Sequence, residues 1–140
     1  MGIFNNINEK PKHPVYKHLR KPPLYLTSST EDTDSGLHKW IISSPVSPSL
    51  IQKGNTVTIK TACVLIILLD AIKANKGEAE LSIIKKDSGT QSTLLQRYKT
   101  SNNRRNESIS VNYAGRFKTN DLISIESKNV KNVQLTIYGC

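Results

Sequence analysis

Gly115-Arg116-Phe117-Lys118-Thr119-Asn120-Asp121-Leu122-Ile123-Ser124-Ile125-Glu126-Ser127 is a strand, a polar turn and a second strand. Phe117 closes the first strand. Thr119-Asn120-Asp121 supplies three residues suited to a tight turn, and Ile123 and Ile125 share one face of the second strand while Ser124 and Glu126 share the other. The spacing predicts a β-hairpin in which the Asp121 carboxylate fixes the turn instead of acting as a catalytic base.

Working outward, Ser108-Ile109-Ser110-Val111-Asn112-Tyr113 alternates in the same way, and Val133, Leu135 and Ile137 form the inward face of a last strand. Glu78 to Ile83 alternates, Asp87-Ser88-Gly89 is a turn signal, and Thr93 to Tyr98 continues beyond it. Nearer the start, Leu24 and Leu26 flank Tyr25 in a short strand, and Thr27 to Ser35 reads as a polar, acidic loop. Leu37 to Ile41 is a further short strand with Trp40 as an anchor. Pro45 and Pro48 set the next stretch at a sheet edge or outside regular pairing. No amphipathic helix appears, and short strands with turn signals every roughly 8 to 15 residues indicate an antiparallel sandwich or barrel. Eight or more strands fit a jelly roll.

The run from Thr56 carries the strongest pattern. Val57, Ile59, Thr61, Cys63, Leu65 and Ile67 fall on one face, with Thr58, Lys60, Ala62, Val64, Ile66 and Leu68 on the other, and both faces are apolar after residue 61. Its β-branched content, short length and alternating lead-in mark a strand and not a buried helix. A sandwich strand buries one face in its own interior, so a second apolar face calls for cover from outside, such as a partner subunit.

A chain of 140 residues buries roughly two thirds of its unfolded surface and suits a single domain. With 36% hydrophobic and 22% charged residues it has a globular composition. The longest apolar run, Ala62 to Leu69, is far short of the roughly 18 to 20 residues that span a bilayer. Met1 to Glu9 lacks a signal-peptide pattern, and Asn6 stands where N-myristoylation wants Ser or Thr. An extracellular role therefore implies an exporting segment or anchor outside this chain.

The net charge is +9, and Lys10, Lys12, Lys17, Arg20 and Lys21 oppose only Glu9 in the first 21 positions. With Pro11 and Pro14 and no sustained periodicity, residues 1–20 read as a flexible basic arm or stalk and 21–140 as the folded domain. A second basic cluster, Arg97, Lys99, Arg104 and Arg105, falls in a stretch that reads as a loop. It suits a nucleic-acid surface or an acidic protein partner, and Tyr98 is the one aromatic beside it. His13, His18 and His38 belong to no triad, metalloprotease motif or phosphate loop, so an enzyme is not expected, and neither is a cofactor or metal. Cys63 and Cys140 have no metal-site spacing; Cys63 reads as a buried, inert thiol, while Cys140 is open to an intramolecular bridge, an intermolecular bridge or a free thiol.

Several steps, in order, resemble the tumour necrosis factor (TNF) superfamily. Lys21-Pro22-Pro23-Leu24-Tyr25-Leu26 is similar to its opening strand, and Leu37-His38-Lys39-Trp40 to its Leu-x-Trp. Gly54 to Ile59 precedes Ala62 to Leu69 as a short strand precedes the family's central one. Thr93-Leu94-Leu95, the Gly115-x-Phe117 step and Tyr138-Gly139 continue the series. The chain departs from the pattern at Ala62-Cys63-Val64, where the family has Gly-Leu-Tyr, at Asn112, where it has an aromatic, and in stopping one residue after Gly139.

The resemblance implies an all-β, antiparallel two-sheet jelly roll that forms a homotrimer, binds an elongated cysteine-rich cell-surface receptor and signals by clustering it, outside the cell and without catalysis. It places Val64, Ile66, Leu68 and Phe117 near the three-fold axis. It places receptor contacts on the loops Asp87 to Thr90, Lys99 to Arg105 and Lys128 to Asn132, with Asp87, Ser88, Arg97, Lys99, Arg104, Arg105, Lys128 and Lys131 as candidates. Asn106-Glu107-Ser108 is an N-glycosylation sequon compatible with extracellular exposure. The competing expectations are a basic nucleic-acid-binding β-barrel and a structural jelly roll, such as a capsid or collagen-associated head, without signalling.

Overall fold

A computed structural model describes residues 23–30, 41–43, 47–53, 55–88 and 91–139. The basic arm, Trp40, Pro45, Gly54, Gly89 and Cys140 lie outside the described residues. The strands are β1 (Leu24–Thr30), β2 (Ile41–Ser43), β3 (Leu50–Lys53), β4 (Thr56–Ile59), β5 (Cys63–Lys73), β6 (Ala79–Lys86), β7 (Ser92–Thr100), β8 (Ser108–Phe117), β9 (Leu122–Lys128) and β10 (Val130–Gly139). They form two antiparallel five-stranded sheets, ordered β2-β1-β10-β5-β8 and β3-β4-β9-β6-β7. Among the described strands, only β1–β2, β3–β4 and β6–β7 are both consecutive and paired; every other connection crosses between sheets, which makes the sandwich a jelly roll.

Period-two alternation builds the interior. Leu65, Ile67 and Leu69 of β5 and Val133, Leu135 and Ile137 of β10 point from the first sheet towards Leu81 and Ile83 of β6 and Ile123 and Ile125 of β9, and all are at most 1% exposed. Each such side chain contributes about 1.5–3 kcal/mol by leaving water.

Four sequence expectations change. The Gly115 segment is an arch and not a hairpin: β8 pairs with β5 in one sheet, β9 with β4 and β6 in the other. The Asn120 N–H donates to Ile59 O at 2.7 Å and the Ile59 N–H donates to Asp121 O at 2.9 Å, so the turn is stitched to β4. Phe117 and Ile123 thus enter the core from opposite sheets, a relation that alternation within one segment does not specify. Asp121 fixes this turn as expected: it is 4% exposed and its Oδ2 accepts the Lys118 N–H at 2.8 Å.

The run from Thr56 is two strands, because Lys60, Thr61 and Ala62 carry the chain from one sheet to the other. Thr27 to Thr30 is strand, since Ser28 and Thr30 face inward opposite Leu135 and Val133. Lys128 and Lys131 are strand residues with Asn129 alone between β9 and β10. Asn129, at φ 57°, makes that reversal in a left-handed conformation that asparagine tolerates.

Gly139 closes β10 where the Tyr25 ring lies against the position of its missing Cβ. Gly139→Val is expected to cost about 2 kcal/mol by overpacking. In urea denaturation, Tyr25→Ala should cost less in the Gly139→Val background than alone; strict additivity would show that the ring is not the obstacle.

Candidate functional site

On the outward face of the first sheet, β5 presents Val64, Ile66 and Leu68, all half-buried. Register places Ile66 between Tyr138 and exposed Ala114, and Leu68 between Thr136 and exposed Asn112. Phe117 is not part of this group: it points inward, is 1% exposed, and meets Tyr113 edge-on with ring centroids 6.2 Å apart. It belongs to this chain's own core.

One step further along the same face the chemistry changes. Ser29, Gln134, Asp70 and Ser110 form a polar row across β1, β10, β5 and β8. A bulge between Lys131 and Gln134 in β10, with Asn132 at φ 52°, breaks the ladder beside this row. The row borders a groove of about 700 Å³ lined by Asp70, Ile72, Ser108, Ser110, Asn132 and Gln134 among others, with no lysine or arginine among the described residues.

The outward face of the second sheet carries Arg97, Lys99 and Lys128, each beside a carboxylate. Arg97 Nε lies 3.4 Å from Glu80 Oε2 and donates to Ser82 Oγ at 3.3 Å. Lys128 Nζ donates to Glu78 Oε1 at 2.8 Å, and Lys99 Nζ lies 3.7 Å from Glu78 Oε2. The Lys128 hydrogen bond, then the charges of Lys128 and Lys99, hold the Glu78 carboxyl below the ordinary glutamate range; the same bond holds the Lys128 amine above its ordinary value.

A lowered carboxyl pKa stabilises above the unfolded value and loses that contribution as pH falls through the folded one. The raised Lys128 amine contributes below its unfolded pKa and loses its contribution as pH rises through its folded one. An NMR titration of Glu78 should therefore show a midpoint below that of free glutamate, moving up in Lys128→Ala and in high salt. An unchanged midpoint in Lys128→Ala would remove this pairing.

At the same end of the sandwich two asparagines cross-link three connections. Lys73, 0% exposed at the end of β5, donates from Nζ to Asn102 O at 2.6 Å and to Asn102 Oδ1 at 2.8 Å. Asn102 Nδ2 donates to both Glu107 carboxylate oxygens, and Asn102 Oδ1 also accepts the Arg104 N–H at 3.0 Å. The Asn106 N–H donates to Lys73 O, and the Gly77 N–H, at φ 101°, donates to Asn102 O. Asn129 binds the N–H and C=O of Asn75 and the C=O of Glu78. This framework fixes the 101–107 loop, from which Arg104 and Arg105 project exposed; Arg104 Nη1 stands 3.8 Å from Glu107 Oε2.

The eight candidate receptor residues thus divide. Arg97, Lys99 and Lys128 form one cluster on strands, with Arg104 and Arg105 on the adjoining loop. Lys131 lies opposite Ile72 on the other sheet. Asp87 and Ser88 stand at the opposite end, where Asp87 Oδ1 accepts the Gln91 N–H at 3.0 Å. Asn106 is exposed at φ 57°. Cys63 is half-buried, and burial pushes its thiol pKa up.

No protein-family profile matches the chain, and no curated protein matches it. Solved structures do. A crystal structure of murine APRIL at pH 8.5 aligns with TM-score 0.65 and 13% identity, covering 82% of this chain and 98% of that one. Murine APRIL at pH 5.0 gives 0.66 and 9% over 81% and 98%, and at pH 8.0 it gives 0.60 and 14% over 82% and 98%. APRIL is a TNF superfamily ligand. This chain has the TNF-like jelly-roll fold. At these identities the agreement lies in strand order and packing, so site residues rest on this chain's own geometry.

Sequence reasoning passed over Lys73, Asn102 and Asn129, and noted Asp70 only as an acid beside an apolar strand. A signal existed for the first: continuing the period of two past Leu69 puts Ala71 and Lys73 inside and Asp70 outside. The asparagines carry no comparable signal, because their partners lie 29 and 54 residues away in sequence.

Proposed function

We propose that this chain is a TNF-like ligand domain that assembles as a homotrimer through the outward face of its first sheet, binds a cysteine-rich cell-surface receptor and signals by clustering it. The observation that carries this reading is the half-buried apolar band of Val64, Ile66 and Leu68, with Ala114 and Tyr138 beside Ile66, on the face opposite the core. Its extent suits a partner of the same kind, since a closed ring buries the same surface of every copy.

An elongated receptor lying along the sandwich reaches Arg97, Lys99, Lys128 and Arg104 at one end and Asp87 and Ser88 at the other. The guanidinium of Arg97 suits acidic receptor side chains. Such a ligand works outside the cell, where the exposed Asn106 accepts a glycan, and it needs no catalytic group or cofactor. A nucleic-acid surface is less well supported: such surfaces interleave aromatics with the charge, and among the described residues Tyr98 is the one exposed aromatic beside this cluster.

Sedimentation equilibrium at micromolar concentration tests the assembly. A trimer is expected, and a stable monomer overturns the proposal. A panel of cysteine-rich receptor ectodomains then separates a ligand from a structural jelly roll, which trimerises but captures none.

A further inference from the structure

We propose that Asp70 is the acceptor of an ion pair between copies: in the trimer, Arg105 of one copy enters the groove of the next and meets its Asp70 carboxylate, setting the rotation of the copies about their axis. The inference rests on the trimeric reading above and adds the contact that specifies its register.

Asp70 is exposed and stands one ladder step beyond Leu68 on the face which that reading covers. Its cross-strand neighbours, Gln134 and Ser110, are neutral, and no basic residue among the described ones lines the groove. No ion pair joins it to a described residue, although the chain carries a net charge of +9. Covering an unpaired carboxylate opposes assembly, and a cation on the neighbour that covers it offsets that cost most directly.

The choice of cation follows from position. Lys73 is buried on Asn102, Lys99 and Lys128 share Glu78, and Arg97 and Arg104 face Glu80 and Glu107. Lys131 lies on the same face as Asp70, opposite Ile72, but outside the groove lining. Lys76, exposed and without an ion pair among the described residues, lies on the connection between the inner strands β5 and β6 and not on the loop between the edge strands β7 and β8. Arg105 is exposed, has no carboxylate within ion-pair distance among the described residues, and sits on the loop joining β7 and β8. These are edge strands of the two sheets and pack against each other along one open side of the sandwich.

A ring forms when one patch on each copy meets a different patch on the next. Here the open side, with its loop, meets the first sheet's face. A ring whose axis runs along the strands keeps the copies level, so the loop and the groove, both at the Lys73 end, come to the same height. The loop arrives ordered, held by Lys73, Asn102 and Glu107 on either side of Arg105. A planar guanidinium matches a carboxylate in two parallel hydrogen bonds, which a lysine at this position does not reproduce.

The test is the oligomeric state of Asp70→Asn, Asp70→Arg, Arg105→Asp and the doubly swapped Asp70→Arg/Arg105→Asp chain, measured by sedimentation equilibrium with circular dichroism to establish folding. The three single variants should weaken assembly by about tenfold or more per contact. The double variant should restore it, because the guanidinium introduced in the groove of one copy then meets the carboxylate introduced on the loop of its neighbour. Single variants as trimeric as the parent, or a double variant no better than its singles, overturn the pairing while the trimer stands. A parent chain that is itself monomeric overturns the trimeric reading and this pairing with it.

Discussion

Asn102→Ala is expected to lower the unfolding free energy by about 3 kcal/mol, a large loss for a residue on a surface connection. The reason lies beneath the loop. The Lys73 ammonium is 0% exposed, and both of its hydrogen-bond acceptors belong to Asn102. Alanine keeps the main-chain oxygen but removes Oδ1, together with the amide that holds Glu107 and the acceptor that holds the Arg104 N–H. A buried cation left under-solvated costs far more than an ordinary lost hydrogen bond, because the interior supplies no water in exchange. Urea denaturation measures the loss. Lys73→Met in the Asn102→Ala background should recover part of it, since an unbranched apolar chain of similar length needs no acceptor. A loss below about 1 kcal/mol would mean that the amine finds other partners as readily.

Asn102 marks where reading the chain residue by residue stops. Alternation alone identified the inward residues of β9 and β10, and Ile123, Ile125, Val133, Leu135 and Ile137 are all at most 1% exposed. It also identified Asp121 as the fixer of its turn. A local pattern says which way side chains point but not which strand lies alongside, so an arch across the sandwich and a hairpin within one sheet look alike. The Gly115 segment was legible as strand, turn and strand; its assignment to two sheets depends on Ile59 receiving the turn.

The same limit hid the site framework, because Asn102 and Asn129 act on groups distant in the chain. The interior polar positions misled for a related reason. Ser28 and Thr30 read as loop because hydroxyls are common in turns, yet in β1 they occupy inward positions opposite Leu135 and Val133. Phe117 shows the converse: the family resemblance placed it near a three-fold axis, but parity along β8 turns it inward with Ile109 and Val111.

Ile66→Asp should convert the proposed trimer to a folded monomer, the most severe single change expected at the surface. Ile66 lies at the centre of the apolar band, flanked by Tyr138 and Ala114, and its side chain points away from the core formed by Leu65 and Ile67. Substitution there leaves the interior untouched, so the monomer keeps its stability. Assembly is another matter. Each copy loses about 2 kcal/mol of apolar burial and incurs about as much again by covering a carboxylate without a partner. About 4 kcal/mol per copy is a factor of about a thousand in each contact. Sedimentation equilibrium reads the assembly and urea denaturation reads the fold. A variant that stays trimeric places the contact elsewhere on the molecule, whereas one that unfolds shows that Ile66 belongs to this chain's own stability. A stable monomer from a trimeric parent ties the apolar band, and not the basic cluster around Glu78, to self-association, leaving that cluster to a partner of a different kind.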